Sequence, residues 1–364
     1  MAAIVAAPIP LEQIGRLAGP QFGSKGVACL ETDGVHVYAG CRDHAIRVYD
    51  AQTQKLLYAL GAPTGPLDEA REGHVGCVTA LKLHGGTLFS GSGDSTVRAW
   101  DVQERGPLRK VGEHGAIVTA LAIVDATLYS ADANGFVGLW DLKTFRTLGE
   151  LEAKPSVYAL AVVEGLLYAA RGGGESVVAW DVSTRERADA PPYTAESLLA
   201  VGRRLYLGRD DGSISVWDAS RATPLPAATL EDGHDGCVTA LTSIEGSMIV
   251  SGGEDGGVVC WDATTRQRRW ATRPREGAVN GADVVVADDF GCLFSASPMA
   301  PDVQVWRAQV SPTLQPGGAR RRKVATAHAG APQPPSQDGS NNGDRPRSRN
   351  RALAAVQDSR RGVT

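Results

Sequence analysis

Histidine is the side chain that titrates nearest neutral pH, so the seven histidines of this chain are the first residues to test for chemistry. Three of them, His74, His114 and His234, stand in related stretches: GHVGCVTAL (73–81), EHGAIVTAL (113–121) and GHDGCVTAL (233–241). A nucleophilic triad needs one convergent constellation, whereas these histidines are reiterated, which assigns them to architecture. His36, His44 and His84 fall at strand or turn positions with no Ser or Cys pattern beside them, and His328 lies far toward the C-terminus; all four read as surface residues. SGSGDST (90–96) and RGGGES (171–176) invite a phosphate-binding reading, but they lack the third spaced glycine, the following helix and the lysine that such a cradle requires. They read as hairpin turns. Asp43, Asp94, Asp211 and Asp255 occupy such turns one per repeat, too dispersed for the clustered oxygens of a calcium site. The six cysteines are scattered singly with no CxxC or HxxxH spacing, which excludes a zinc site and points to reduced thiols acting as small apolar side chains. No catalytic residue, metal or cofactor is expected.

The elements that carry these residues follow from periodicity. An aromatic residue followed by Asp closes apolar, β-branched runs at RVYD (47–50), RAWD (98–101), GLWD (138–141), VAWD (178–181), SVWD (215–218) and VCWD (259–262), and QVWR (304–307) continues the series. The aromatic positions, Tyr49, Trp100, Trp140, Trp180, Trp217, Trp261 and Trp306, step by 51, 40, 40, 37, 44 and 45 residues. Within 74–112, strands CVTALKL, TLFSG, TVRAWDV and PLRKV are separated by the turns HGG, GDS and QERG. Four antiparallel strands in a unit of this length form a propeller blade, and seven such units must stack because one blade cannot bury both its faces.

These residues resemble the WD40 family over most of the chain. The resemblance implies an all-β, seven-bladed β-propeller of four-stranded antiparallel blades. It also implies a relay of His between blades, Ser on the second strand, Asp in the following turn and Trp on the third strand. Blade 2 matches as His74, Ser90, Asp94 and Trp100, and blade 6 as His234, Ser251, Asp255 and Trp261. Blade 3 matches as His114, Ser130 and Trp140, with Asn134 where Asp is usual. Blade 1 keeps Asp43 with Tyr49, and blades 4, 5 and 7 lack the His, so these four are expected to be held mainly by packing. LEQIGRLAGP (11–20) has the character of a fourth strand, and blade 7 runs into SPTLQPGG without one. The expected domains are therefore residues 1–21 supplying the outer strand of blade 7, a propeller over 22–310, and a disordered tail over 311–364.

The family's binding face is the top, formed by the turns after the second strands and the connections between blades. Arg42, Arg171, Arg203, Arg204, Asp210 and Glu254 are assigned there, with Asp68, Glu69 and Arg71 in the long connection LGAPTGPLDEAREG (60–73). The formal charge is -4, but residues 311–364 hold ten Lys/Arg against three Asp/Glu, leaving an acidic body and a basic tail. Arg320, Arg321, Arg322 and Lys323 suit weak RNA or import-receptor contact; no aromatic residue follows Trp306, so base stacking is unavailable. MAAIVAAPIP lacks a basic n-region, no membrane partner is expected, and the chain reads as cytoplasmic or nuclear. The expected function is a non-catalytic scaffold or adaptor binding proteins or peptides on the top face. The alternatives are a component of a ribonucleoprotein or nuclear assembly that uses the tail, and a ubiquitin-ligase substrate receptor. The last is disfavoured by WDVQ, WDLK, WDVS, WDAS and WDAT in place of WDxR.

Overall fold

Alternating apolar and small residues followed by a glycine-containing turn make each repeat fold as a meander. In blade 2 the strands are Val78–His84, Thr87–Ser92, Thr96–Asp101 and Gly106–Glu113, each antiparallel to the next. A computed structural model describes residues 11–17, 26–61, 73–220, 226–231, 233–244, 246–272, 284–287, 292–296 and 303–308. In it the meander recurs in seven four-stranded sheets. The first strands of successive blades touch in order, and Val27–Thr32 of blade 1 touches Val284–Ala287 of blade 7, which makes the arrangement a ring.

The closing sheet joins the two ends of the ring. Leu11–Leu17 pairs antiparallel with Val303–Ala308, beside Cys292–Ala296 and Val284–Ala287, in the register Gln13 to Trp306 and Leu17 to Val303. Leu17 is fully buried against Val37, Phe294 and Val305, so the N-terminal strand ties blade 7 to blade 1 through core packing as well as backbone bonds. Blade 4 departs from the pattern at its outer strand, Arg187–Ala188. There the chain turns away toward Pro191 and Pro192, which cannot donate to a ladder, and the carbonyl of Tyr193 accepts the hydrogen bond of Val177 N–H instead.

Burial grades outward. Third strands such as Ile46–Asp50 and Ile214–Asp218 are buried at every position but the last, whereas the outer strand Thr147–Glu152 is almost wholly exposed. The reason is stacking: a third strand has a neighbouring blade on each face. Each core cluster accordingly spans a blade boundary. Trp100 packs on Ile46 and Val48 of blade 1, and Trp261 on Tyr206 and Val216 of blade 5. Gly91 is needed at one such boundary, where a Cβ would collide with Val118 of the next blade. Trp270, outside the aromatic series, is buried on the outer strand of blade 6 beside Cys260 and Leu293.

The Asp of each aromatic-Asp pair caps the turn that follows it. Asp101 Oδ1 accepts from the N–H groups of Gln103 and Glu104, and Asp141, Asp181 and Asp262 repeat the motif. The turn then places one non-glycine residue at positive φ: Gln54, Arg105, Phe145, Arg185 and Arg266. Several of these reach back to the preceding blade. Arg105 lies 4.9 Å over the Tyr58 ring, Phe145 meets Phe89 edge-on, and Arg185 donates to the carbonyl of Leu148 at 2.8 Å.

Candidate functional site

The repeat histidines are consumed by the fold. In blade 2 the Trp100 indole N–H donates to Ser90 Oγ at 2.8 Å, and Ser90 Oγ lies 2.7 Å from His74 Nε2. His74 Nδ1 is 3.0 Å from Asp94 Oδ2, which also accepts the Val75 N–H at 2.9 Å. One tautomer satisfies the chain: Trp donates to Ser, Ser to Nε2, and Nδ1–H to Asp. Blade 6 repeats it through Trp261, Ser251, His234 and Asp255 at 3.1, 2.8 and 3.1 Å. Although Ser, His and Asp are aligned as in a nucleophilic triad, Ser90, Ser130 and Ser251 have no exposed surface, and each hydroxyl already lies between an indole and an imidazole. None of these serines can reach a substrate.

Blade 3 corrects the expectation built on Asn134. That residue is exposed, and its N–H donates to Asp132 Oδ1 at 3.0 Å. The acidic partner of His114 is Asp132 itself, with Nδ1 to Oδ2 at 3.3 Å and both side chains buried. Asp132 holds the strand-end position that Ser92 holds in blade 2, since they face Val118 and Val78 respectively, and from there a carboxylate reaches the imidazole directly. Burial depresses the pKa of His74 and His114 against the opposing pull of Asp94 and Asp132. The Asp94 and Asp255 carboxyls lie below the usual range: their own burial opposes this, but hydrogen bonds from His74 and Thr96, and from His234 and Gly257, outweigh it.

The blades without the histidine, expected to be held mainly by packing, also carry polar ties, and in blades 1, 4 and 5 these come from arginines. In blade 1, Arg47 is buried and grips Asp43 through two bonds of 2.9 and 2.6 Å. In blade 4, Ala153 stands where blade 3 has His114, four residues before Val157 and Val118 respectively. Arg171 fills that gap and donates to the carbonyls of Ser176 at 2.7 Å and Lys154 at 2.9 Å. Arg209 holds the same register in blade 5, lying 5.5 Å over the Tyr193 ring. In blade 7, Trp306 donates to Ser295 Oγ at 2.9 Å. Arginine serves because its planar fork offers five donors where an imidazole offers two at most.

The residues assigned to the top face do not all lie there. Arg42, Asp210 and Glu254 are exposed in the turns after the second strands, with Arg171 half-buried beside them. Arg203 and Arg204 are at the opposite end. Val201 pairs with Arg204 at the hairpin joining the first two strands, far from the Ser197 to Gly208 pair that marks the top. There Arg203 lies 3.5 Å from Glu164, and Arg204 donates to the Ala263 carbonyl at 2.9 Å. The cause is strand direction: the first-to-second and second-to-third turns fall on opposite rims of an antiparallel blade. Asp68, Glu69 and Arg71, with Arg320, Arg321, Arg322 and Lys323, lie outside the described residues.

A set of residues that periodicity did not mark gathers at the top of the first strands. A bulge turns one side chain aside between the residues of each Val-x-Ala or related pair. In blades 2, 3 and 6 it is Thr79, Thr119 or Thr239, whose hydroxyl lies within bonding distance of the facing carbonyl of Gly91, Ala131 or Gly252; that of Thr79 is closer still, 2.5 Å, to the Val118 carbonyl of blade 3. Blade 4 has Tyr158 there, 42% exposed; in blade 5, whose first two strands pair without a bulge, Glu196 stands directly before the Ser197 to Gly208 pair. Val75 and Ile117, also exposed, precede the first strands of blades 2 and 3. Burial pushes the Glu196 carboxyl up, and the nearby charges of Asp210 and Glu254 push it further. The signal in the sequence was a break in the repeat: Val-Tyr-Ala for Val-Thr-Ala.

Among the described residues no group of three or more His, Cys, Asp or Glu side chains could hold a metal ion. The five described cysteines are free; burial pushes the thiols of Cys41 and Cys260 up to about 11 and about 12, so both stay protonated. Among the described residues no helix is long and apolar enough to cross a membrane.

Comparison with known proteins agrees with this geometry. The family model described as WD domain, G-beta repeat matches residues 67–101 and 226–262, which contain blades 2 and 6 up to their third strands. The chain is 42% identical over 79 residues to Cell division control protein 4 of Saccharomyces cerevisiae, covering 21% of this chain and 9% of that protein. It is 31% identical over 181 residues to Zinc finger CCCH domain-containing protein 17 of Oryza sativa, covering 46% and 39%. WD repeat-containing protein 55 homolog of Dictyostelium discoideum aligns at 19% identity over 234 residues, 63% of this chain and 45% of that one. The chain thus spans less than half the length of each of these relatives. Among solved structures, the computationally designed Ika8 protein superposes with a TM-score of 0.59 at 23% identity, covering 80% of this chain and 99% of its own, a likeness of fold.

Proposed function

We propose that this chain, a WD40-repeat protein folded as a seven-bladed β-propeller, is a scaffold that holds protein partners at the top mouth of the ring. The observation that carries this reading is the break in the series of side chains at the top of the first strands. Where Thr79, Thr119 and Thr239 bond backbone carbonyls of their own or the next blade, blade 4 presents the 42% exposed ring of Tyr158 and blade 5 the half-buried carboxylate of Glu196. Tyr158 on blade 4 is exposed, as are Ile117 and Val75 before the first strands of blades 3 and 2, and exposed aromatic and aliphatic side chains are the composition of an interface anchor. The acidic side of the mouth, Glu196, Asp210 and Glu254, lies on blades 5 and 6, while Val75, Ile117 and Tyr158 lie on blades 2 to 4. Such a surface suits a peptide that follows apolar side chains with basic ones.

The test is affinity purification with mass spectrometry of the wild-type chain against a Tyr158→Ser, Glu196→Gln double variant. Partners lost from a variant of unchanged melting temperature support the reading; an unchanged partner set sinks it. A role as ubiquitin-ligase receptor would show in the same experiment as cullin association that depends on these residues.

The basic composition of residues 311–364 favours a second reading, attachment to RNA or to an import receptor through charge. Purification with and without those residues, before and after nuclease treatment, separates it from the first. Partners that persist in all conditions belong to the scaffold.

A further inference from the structure

In blades 1, 2 and 3 the outer strand slips by one residue against the third strand, and the residue left over is each time a leucine: Leu57, Leu108 and Leu148. These side chains are 44%, 48% and 37% exposed. Elsewhere the position is spent. Blade 4 pairs without the slip, Arg269 of blade 6 is held by Asp262 at 2.5 Å, and Ile14 of the closing strand packs against the core. Exposed apolar side chains scattered singly are ordinary, but one position left apolar in three adjacent blades is a band. It lies on the outer wall, toward the rim opposite the mouth, because the third-to-fourth turns fall on that rim.

Cations stand between the leucines. Arg105, in the turn that opens the outer strand of blade 2, lies 4.9 Å over the Tyr58 ring next to Leu57, and Arg185 of blade 4 donates to the Leu148 carbonyl at 2.8 Å. Beside Leu108 a cavity of about 220 Å³ opens on the third and fourth strands, lined by Trp100, Pro107, Arg98, Arg109 and Lys110, and among the described residues by no carboxylate. Lys110 is paired with Glu113 at 2.5 Å, whereas Arg109 is exposed and its guanidinium makes no hydrogen bond or ion pair among the described residues. From turn to leucine, residues 51–57, 102–108 and 142–148 hold Lys55, Arg105, Lys143 and Arg146 against Glu104 alone. The aspartates just before them, Asp50, Asp101 and Asp141, are half-buried and cap the turns.

Apolar points within a positive sector of an otherwise acidic body match a partner that alternates apolar and acidic side chains. The bulges interrupt the outer edges, so an added strand does not continue the ladder and side chains must carry the contact. A lipid surface fits less well. Each leucine is more than half covered, short of the roughly 5–10 Å by which apolar side chains enter a bilayer, and the cavity beside Leu108 is concave.

We propose that the outer wall of blades 1 to 3 docks an acidic, leucine-bearing segment of a protein partner, with an apolar side chain seated beside Leu108 and carboxylates facing Arg109 and Arg105. This surface is separate from the top mouth and does not rest on it.

The experiment titrates the full chain, methyl-labelled at leucine, with acetyl-Asp-Leu-Glu-Leu-Asp-amide, with the same peptide carrying lysine in place of each acid, and with vesicles of phosphatidylserine and phosphatidylcholine. The three methyl resonances are assigned by their loss in Leu57→Ser, Leu108→Ser and Leu148→Ser. The expected result is a saturable shift of Leu108 and of Leu57 or Leu148 by the acidic peptide, at a concentration at least about tenfold below that needed with the lysine peptide. Arg109→Glu, an exposed change that should leave the melting temperature unaltered, removes that preference. The Tyr158→Ser, Glu196→Gln variant should titrate like the wild type, so failure of the mouth and failure of the wall are read apart. No shift, equal shifts with both peptides, or a shift confined to Leu108 overturns the proposal. Shifts produced by the vesicles and not by the acidic peptide overturn it in favour of a lipid surface.

Discussion

Blades 2 and 4 have the same four strands and solve the same problem by different means. In blade 2 a relay of Trp100, Ser90, His74 and Asp94 runs through the interior, with Ser90 and His74 bonded on both sides. In blade 4 the relay is gone: Ala153 and Ala169 replace His and Ser, and Arg171 ties the turn to the incoming connection from the rim. The difference teaches where each blade is vulnerable. A buried chain of donors and acceptors fails when any member is removed, because its neighbours are orphaned away from water. A rim arginine bonded to exposed carbonyls fails gently, because water can replace it.

The largest effect should come from Trp100→Ala, which removes the relay's end and its packing on Ile46 and Val48 together, costing about 3–5 kcal/mol in chemical denaturation. A loss below that range would mean that the blade boundary relaxes around the hole. Ser90→Ala isolates the polar part. Leaving the indole N–H and His74 Nε2 unpaired should cost about 1–3 kcal/mol, and a neutral result would break the distinction between the two blades.

Acid should act on the relay blades next. Because burial depresses the pKa of His74 and His114, the unfolded chain takes up protons below its ordinary histidine value of 6.5 while the folded chain resists. Stability is therefore full above pH 6.5 and declines as pH falls through the lowered values. A second decline begins below the 3.8 of an ordinary aspartate, as Asp94 and Asp255 approach protonation. Melting curves from pH 8 to pH 3 check both, and His74→Gln should flatten the first; a flat profile in the wild-type chain would overturn the neutral relay. In blade 4, Arg171→Met should cost only about 0.5–1.5 kcal/mol, the range of ordinary net hydrogen bonds. The smallest change is expected at Asn134→Ala, within about 0.5 kcal/mol as for other exposed sites. Asp132→Ala should be clearly worse, and the reverse order would restore Asn134 as the partner of His114.

Much of this was legible in advance, for a reason visible in particular residues. The aromatic steps from Tyr49 to Trp306 counted the blades, because each unit must bury one large ring against its neighbour. The relay of blades 2 and 6 could be read because its four residues match, in order and nearly in spacing, those that the family resemblance implies. The compensations by Arg47, Arg171 and Arg209 could not, since each occurs in one blade and no repeat marks it. Arg203 and Arg204 were assigned to the wrong rim because a charge pair in a turn looks alike at either end of a strand.

Periodicity determined the strand order and the number of blades, because hydrophobic alternation and turn chemistry are local and repeated, and with the family resemblance it pointed to the closing N-terminal strand. Only the tertiary structure decided which carboxylate meets His114, that Tyr158 is exposed at the top of its first strand, and that Arg209 pairs with Asp211 beside the Tyr193 ring between blades 5 and 6. Those outcomes depend on bulges that re-aim single side chains and on the space between two sheets distant in sequence, and neither quantity is carried by the pattern of any one strand.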